Sequence, residues 1–383
     1  MNNELLIKLT KKTLVISAIN FFEGGPLSVL KDCLDCINKS EYPKEFRIIA
    51  LVHKKELIDT NYFSKVDFIE FPKSRSSYLY RLYYELFYFK TFAKENDVHF
   101  WLSLHDITPS LDGVIQFVYC HNPSPFNKIN LGEIITQPIQ VFFNLFYKYL
   151  YRINIYKNDY IIVQQLWIKQ NFIKMFNLEH HKIIVAKPKV PLIIDKSYLN
   201  DKVKKTTFFF PTFPRPFKNI RVICEAVRIL NANSFYNFTV KITINGTENK
   251  YSSSIINKYG NIPCIEFIGL ISRENVYNQY YKSDCLIFPS KLETWGLPIS
   301  EFKQFNKPMI VSDLPYARET VGNYDKVLFF NPTDELELAK KMLEVIKNNK
   351  IKYSATTTIV YPQPFAENWS ELFSILFKRH ENV

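Results

Sequence analysis

The sequence predicts an α/β protein made of two doubly wound domains, each on a parallel sheet, and three observations predict it. Its 383 residues exceed what one hydrophobic core comfortably supports, and they divide naturally into two domains of about 180 residues each. Short apolar runs alternate with longer helix-like segments from end to end, the sequence form of repeated βαβ units. Glycine is scarce, 9 in all against about 27 at average usage, yet Gly24, Gly25 and Gly296 stand where a strand or loop hands over to a helix.

In the first half the predicted strands cover residues 13–19, 46–53, 66–71, 98–104, 113–121, 160–164 and 182–186. In the second half they cover 206–211, 239–245, 265–268, 285–289, 308–312 and 327–330. The Pro-bearing, charge-rich stretch 188–205 reads as a linker between an N-terminal domain, 1–187, and a C-terminal domain, 206–362. After Pro362 and Pro364, residues 366–380 form an amphipathic helix, counted with 363–383 as a closing segment.

Composition narrows the class. Apolar residues make up 47% and charged residues 22%, which leaves no room for a long disordered tail. The net charge of +12 is spread over both halves and suits polyanionic ligands, anionic lipid or nucleic acid. Lys8, Lys11 and Lys12 precede an apolar run that is read as a first strand and not a leader, since Glu23 and Gly24-Gly25-Pro26 follow and no cleavage site appears. No apolar stretch approaches the roughly 20 residues of a spanning helix, so any membrane contact is expected to be peripheral. Six cysteines sit scattered in apolar contexts, as reduced thiols of a cytoplasmic protein would, and Cys33-x-x-Cys36 has no second pair to make a metal site.

Three loops carry the candidate chemistry. Asn20–Pro26 follows the first strand and opens a helix through Gly24 and Gly25; it is either a phosphate-binding helix start or an ordinary turn. Thr212–Asn219 places Arg215 and Lys218 at the carboxyl end of a strand, where two cations suit a diphosphate or stand solvated. Ser290–Glu301 runs through Gly296 into a helix at Leu297, with Glu293 on the loop and Glu301 near the first helical turn. There Glu301 could hold a vicinal diol with both oxygens, or simply complement the helix dipole.

The spacing Glu293-x7-Glu301, set in Pro289-Ser290-x-x-Glu293-Thr-x-Gly296-Leu-Pro-x-x-Glu301, resembles the signature of retaining glycosyltransferases of family 4. Residues 265–269, 280–290 and 307–315 are similar to the family's flanking segments, so the resemblance runs almost continuously from 206 to 330. In the first half it touches only Gly24-Gly25-Pro26 and the surroundings of His121. It implies the GT-B fold, two Rossmann-like domains facing across a cleft, with the last helix crossing back to the N-terminal domain. It further implies that Glu301 grips ribose hydroxyls, that Arg215 and Lys218 neutralise the diphosphate, and that Glu293 with the amides after Gly296 and Leu297 contacts the donor. The family's Gly-Arg is here Pro214-Arg215 at shorter spacing. A histidine near the reacting carbon is also implied, and His121 fits that place better than His105. No cofactor and no divalent metal is expected, and no Asp-x-Asp motif is present to bind one.

Segment 73–94 interleaves five basic residues with eight aromatics and a single acid, Glu85. It reads as a core-facing helix, a surface on anionic lipid, or a platform for single-stranded nucleic acid; Gln137–Tyr156 is similarly rich in Phe and Tyr. The function expected is transfer of a sugar from a nucleoside-diphosphate donor to a glycan or lipid-linked acceptor in cell-surface polysaccharide synthesis. The enzyme would be cytoplasmic, at the inner face of the membrane, with no nucleic-acid partner. The alternatives are a hydrolysing nucleotide-sugar epimerase of the same fold and a non-catalytic binder of lipid or nucleic acid.

Overall fold

Every strand ladder among the described residues is parallel, so each strand is followed by a crossover that brings the chain back to the same edge of its sheet. The computed structural model describes residues 11–126, 138–193, 205–348 and 351–378. Lys8, Gln137, positions 194–204 of the expected linker and the last two residues of the expected closing helix lie outside them. The chain forms two units, Met1–Lys189 together with Tyr361–Val383, and Val190–Val360.

The strands in chain order are β1 (Lys12–Ala18), β2 (Phe46–Val52), β3 (Val66–Glu70), β4 (Val98–Ser103), β5 (Ile115–Cys120), β6 (Tyr160–Val163) and β7 (Ile183–Ala186). The second unit supplies β8 (Thr206–Phe210), β9 (Phe238–Ile242), β10 (Ile265–Phe267), β11 (Cys285–Phe288), β12 (Met309–Ser312) and β13 (Val327–Phe330), and β14 (Phe365–Ala366) returns to the first. The first sheet is ordered β14-β7-β6-β5-β4-β1-β2-β3 and the second β10-β9-β8-β11-β12-β13. All thirteen predicted strands are present. β14 has no counterpart among them, because two residues paired to Val185 and Ala186 are too few to show a period.

Alternation along the strands explains the first unit's layers. Leu14 and Ile16 of β1, Ile48 and Ala50 of β2 and Phe100 of β4 face one core, which the helices Gly24–Lys39 and Trp369–Lys378 cover. Val15, Ile49 and Trp101 face the other side, beneath Phe89 and Phe92. The last helix puts Phe377 edge-on to Phe100 at 5.3 Å and tilted over Phe46 at 5.1 Å, so it is part of this core. Cys33 lies in the same core with its thiol free, and burial pushes that thiol well up. In the second unit Phe208, Leu286, Ile310 and Leu328 have no exposure, as strands covered on both faces require. Among the described residues no helix is long and apolar enough to cross a membrane.

Of the three readings of segment 73–94, the core-facing aromatic helix is not what the structure has. It is helical as Tyr78–Tyr83, a π turn Tyr84–Tyr88, and Phe89–Glu95. Phe89 and Phe92 are buried, whereas Tyr78, Tyr80, Tyr83, Phe87 and Tyr88 are exposed and the charged Arg81 and Glu85 point inward. The inward side is chosen by a polar partner after β4, His105, which no periodicity reports.

Because Phe373 is fully buried between both helices of the first core, Phe373→Ala should cost about 3–5 kcal/mol of stability, read from urea unfolding. A loss below about 1 kcal/mol would show that the last helix is not integral to that core.

Candidate functional site

In an open parallel sheet, ligands bind outside the carboxyl ends of the strands where the strand order reverses. In the second unit that point lies between β8 and β11, since the chain leaves β8 towards β9 and β10 but leaves β11 towards β12 and β13. The loops that follow these two strands are the ones singled out by sequence. They are fastened to each other: Asn219, in the left-handed region at φ 59°, donates from its side-chain amide to Pro289 O at 3.1 Å and Pro332 O at 2.8 Å. Lys291 N donates to Phe217 O at 2.7 Å.

This stitching brings Lys218 Nζ to 2.5 Å from Glu293 Oε1, with the two side chains 20% and 14% exposed. Arg215 stands outside the pair, exposed, its guanidinium 5.1 Å from the Phe213 ring centre. Gly296 is at φ 86° and caps the helix Leu297–Lys303; a Cβ there would lie 3.3 Å from Ile299 and 3.4 Å from Phe288, so glycine is required both for conformation and for space. Leu297, half-buried, is the first residue of that helix. The turn is held from behind, since Tyr316 donates its hydroxyl to Ser290 O at 2.6 Å and Thr320 donates to Trp295 O.

Glu301 is 3% exposed and both of its oxygens are engaged. Arg273 donates to Oε1, and the Tyr280 hydroxyl donates to Oε2 at 2.9 Å. Burial lifts its carboxyl above the ordinary value, while the Arg273 charge and the Tyr280 hydrogen bond pull the other way. Arg273, Tyr280, Asn219, Tyr316 and Thr320 were not among the sequence candidates. Asn219 stood in the Lys218-Asn219 turn, but nothing local marks Arg273, which reaches Glu301 from another helix, Arg273–Lys282.

In the first unit the order reverses between β1 and β4. After β1, Gly24 lies at φ 63° and the helix Gly24–Lys39 begins; a Cβ on Gly24 or Gly25 would meet nothing within 4 Å. After β4 come His105 and Asp106, and after β5 comes His121. The Asp106 carboxylate organises these turns. It accepts from His121 N at 2.8 Å, Asn122 N at 3.3 Å, Tyr147 Oη at 2.7 Å and Tyr151 Oη at 2.9 Å. The His121 ring is 17% exposed, and its centre lies 5.3 Å from that of Phe21, in the loop that leads to the glycines.

His105 has a different setting. It is fully buried, with Nε2 3.0 Å from Ser17 Oγ and 3.3 Å from Glu85 Oε1, and Arg81 donates to its carbonyl at 2.7 Å. Burial, then the Arg81 charge, holds its imidazole well below the ordinary value, and burial pushes the Glu85 carboxyl up to about 8. His105 is therefore a neutral structural ring at neutral pH, and His121 is the histidine a solute can reach. Among the described residues no three or more His, Cys, Asp or Glu side chains gather as metal ligands would.

Residues 193–357, which include Lys218, Glu293 and Glu301, match the family model described as Glycosyl transferases group 1. Over 208 residues the chain is 25% identical to the O-antigen chain mannosyltransferase RfbU of Salmonella typhimurium, a match covering 53% of this chain and 54% of that protein. The chain thus spans about half the length of the curated relative it matches. Among solved structures it is similar to the lipopolysaccharide outer core galactosyltransferase WaaB in its apo form, with a TM-score of 0.64, 15% identity, and 96% and 99% of the two chains covered. It is also similar to a glycosyltransferase from Rickettsia africae, with a TM-score of 0.62, 16% identity and 88% of each chain covered. A third likeness is to Anabaena Alr3699/HepE in complex with UDP and glucose, with a TM-score of 0.57, 12% identity, and 86% and 88% covered. At these identities the structural likeness is one of fold, the GT-B fold, and the group 1 family model is matched by residues 193–357.

The buried acid Glu85 makes a signed prediction about the first unit. Its folded value of about 8 lies above the ordinary 4.5, so between those pH values the folded state holds the extra proton and stability falls as pH rises. Glu85→Gln removes this dependence, and its stability relative to wild type should rise by about 2–4 kcal/mol between pH 5 and pH 8 in urea melts. A pH-independent difference would place an ionised Glu85 in the folded protein at both values.

Proposed function

We propose that the chain is a retaining glycosyltransferase of family 4. It would move a hexose from a nucleoside-diphosphate sugar to a glycan or lipid-linked acceptor in cell-surface polysaccharide synthesis, in the cytoplasm at the inner face of the membrane. The observation that carries this reading is the constellation at the β8/β11 reversal, where Lys218 meets Glu293 on loops tied together by Asn219, with the buried Glu301 one turn into the next helix.

Breaking the bond between sugar and diphosphate builds negative charge on the leaving group and positive charge on the sugar ring. Lys218, already fixed against Glu293, supplies a cation for the leaving diphosphate without a divalent metal, and Arg215 on the same loop is free to swing towards it. Gly296 keeps the backbone before Leu297 clear of a Cβ, so the donor can approach the chain there. Glu293 accepts from Lys218 and faces the same donor. In the first unit Gly24 and Gly25 leave space at a helix start for phosphate, and His121, aligned through Asp106, contacts the sugar near its reacting carbon.

Glu301 takes the ribose. A vicinal diol offers two hydroxyl donors, and on Glu301 two donors are already seated, the Arg273 guanidinium and the Tyr280 hydroxyl. Tyr280 is buried, but Arg273 is half exposed and can withdraw. A nucleotide therefore competes with Arg273 for Oε1.

Calorimetry with UDP, GDP and ADP tests the reading. One of them should bind wild type, Glu301→Ala should weaken it by about 10- to 100-fold, the worth of a hydrogen bond to a charged group, and Arg273→Ala should leave it equal or tighter. Wild type binding no nucleotide, or Glu301→Ala binding as wild type does, sinks the assignment.

A further inference from the structure

We infer that the helical segment from Tyr78 to Glu95 seats the first unit on an anionic lipid surface. The inference deepens the proposed function by naming the surface at which a lipid-linked acceptor would be met. The segment reverses the pattern of an ordinary surface helix, which turns its apolar stripe inward and its charges to water. Here Arg81 and Glu85, four residues apart, are 8% and 1% exposed, while Leu79 is 76%, Tyr83 51% and Phe87 66% exposed. Tyr80, Leu86 and Tyr88 on the same outer side are exposed as well. The helix cannot roll to hide them, because Arg81 is bonded to the His105 carbonyl and Glu85 is enclosed beside His105. An apolar patch held outward in this way marks a contact surface.

Charge and side-chain type choose the occupant. From Pro72 to Glu95 the exposed charges are the cations Lys73, Arg75, Lys90 and Lys94 and the acid Glu95, with Glu85 buried; Lys90 is paired with the exposed Asp112 at 2.8 Å, so Lys73, Arg75 and Lys94 carry the positive excess. Lys90 and Lys94 lie one turn apart on the following helix and are exposed. Tyrosine rings with cations around them suit the headgroup layer of an anionic bilayer, where rings and methyls enter the apolar boundary and hydroxyls and ammonium groups remain wet. A base-stacking platform fits less well, since the most exposed member, Leu79, has no π face to offer a base.

The helix Pro138–Arg152 repeats the construction. Tyr147 and Tyr151 turn in to the Asp106 carboxylate, while Leu145, Phe146 and Tyr149 are exposed beside the exposed Lys148 and Arg152. Asp106 directly follows His105, so the two helices are anchored on consecutive residues.

The test is flotation of the full chain with vesicles of phosphatidylcholine alone, and with about 30% phosphatidylglycerol added, at about 0.1 and 0.5 M salt. Wild type should bind the anionic vesicles about tenfold better than the neutral ones, and less at high salt. The triple variant Leu79→Ser, Tyr83→Ser, Phe87→Ser should lose about tenfold or more of that binding, with its thermal midpoint and nucleotide affinity unchanged. Lys94→Glu, which removes no apolar group, should weaken anionic binding alone. Equal flotation of wild type and the triple variant overturns the inference. So does tighter capture of single-stranded DNA than of vesicles, or a wild-type dimer that the triple variant splits. Vesicle binding without nucleotide binding would reject the transferase and keep this surface; the converse would do the opposite.

Discussion

Parallel pairing is the constraint from which the candidate sites follow. A strand that pairs in parallel delivers its successor loop to the same sheet edge as its neighbour's, so the chemistry of each unit collects on one rim. Two adjacent strands leave a gap there only where the chain winds away from them in opposite directions. That happens between β8 and β11 in one unit and between β1 and β4 in the other. Lys218 and Glu293, 75 positions apart in sequence, meet because of this reversal and not because of anything local.

Each rim is then stiffened by buried polar side chains. Loops cannot bury their backbone without partners, and here single residues supply several: Asn219 ties the two loops of the second unit, and Asp106 ties the turns after β4 and β5 to Tyr147 and Tyr151. The same economy has a consequence on the outside of the first unit. A helix whose polar residues are committed inward, as Arg81 and Glu85 are, turns mainly apolar and aromatic side chains to its other face, Leu79, Tyr83 and Phe87 among them. Internal anchoring of the rim and external exposure of Tyr83 and Phe87 are thus two sides of one arrangement.

This also explains how far the sequence could be read. Most of the thirteen strands were legible because burial on both faces makes them continuous apolar runs bounded by turn formers; Phe238–Ile242 was legible by alternation and Ile265–Phe267 by its place between helices. The second unit's rim was legible because its residues lie in two compact loops. Other features were not, for want of a local signal. β14 is two residues long, and Arg273 belongs to a polar helix with one buried residue, Tyr280, whose hydroxyl serves Glu301. The outward turn of Tyr83 and Phe87 depends on His105, in the turn after β4, which faces Arg81 and Glu85 and which a helical period cannot see.

The pairing of Glu301 bears on how a nucleotide would be held. A carboxylate at 3% exposure without partners would be costly, and Arg273 and Tyr280 remove that cost by satisfying both oxygens. A ribose that takes the place of Arg273 would exchange an ion pair for a hydrogen bond from a neutral hydroxyl to the same carboxylate, so the diol would gain less there than at an unpaired acid. Further affinity would come from elsewhere on the ligand, and Lys218 and Arg215, the cations of the loop after β8, are the groups proposed to meet a diphosphate. On this account Glu301 would hold and orient the ribose, and the diphosphate would supply the rest of the binding energy.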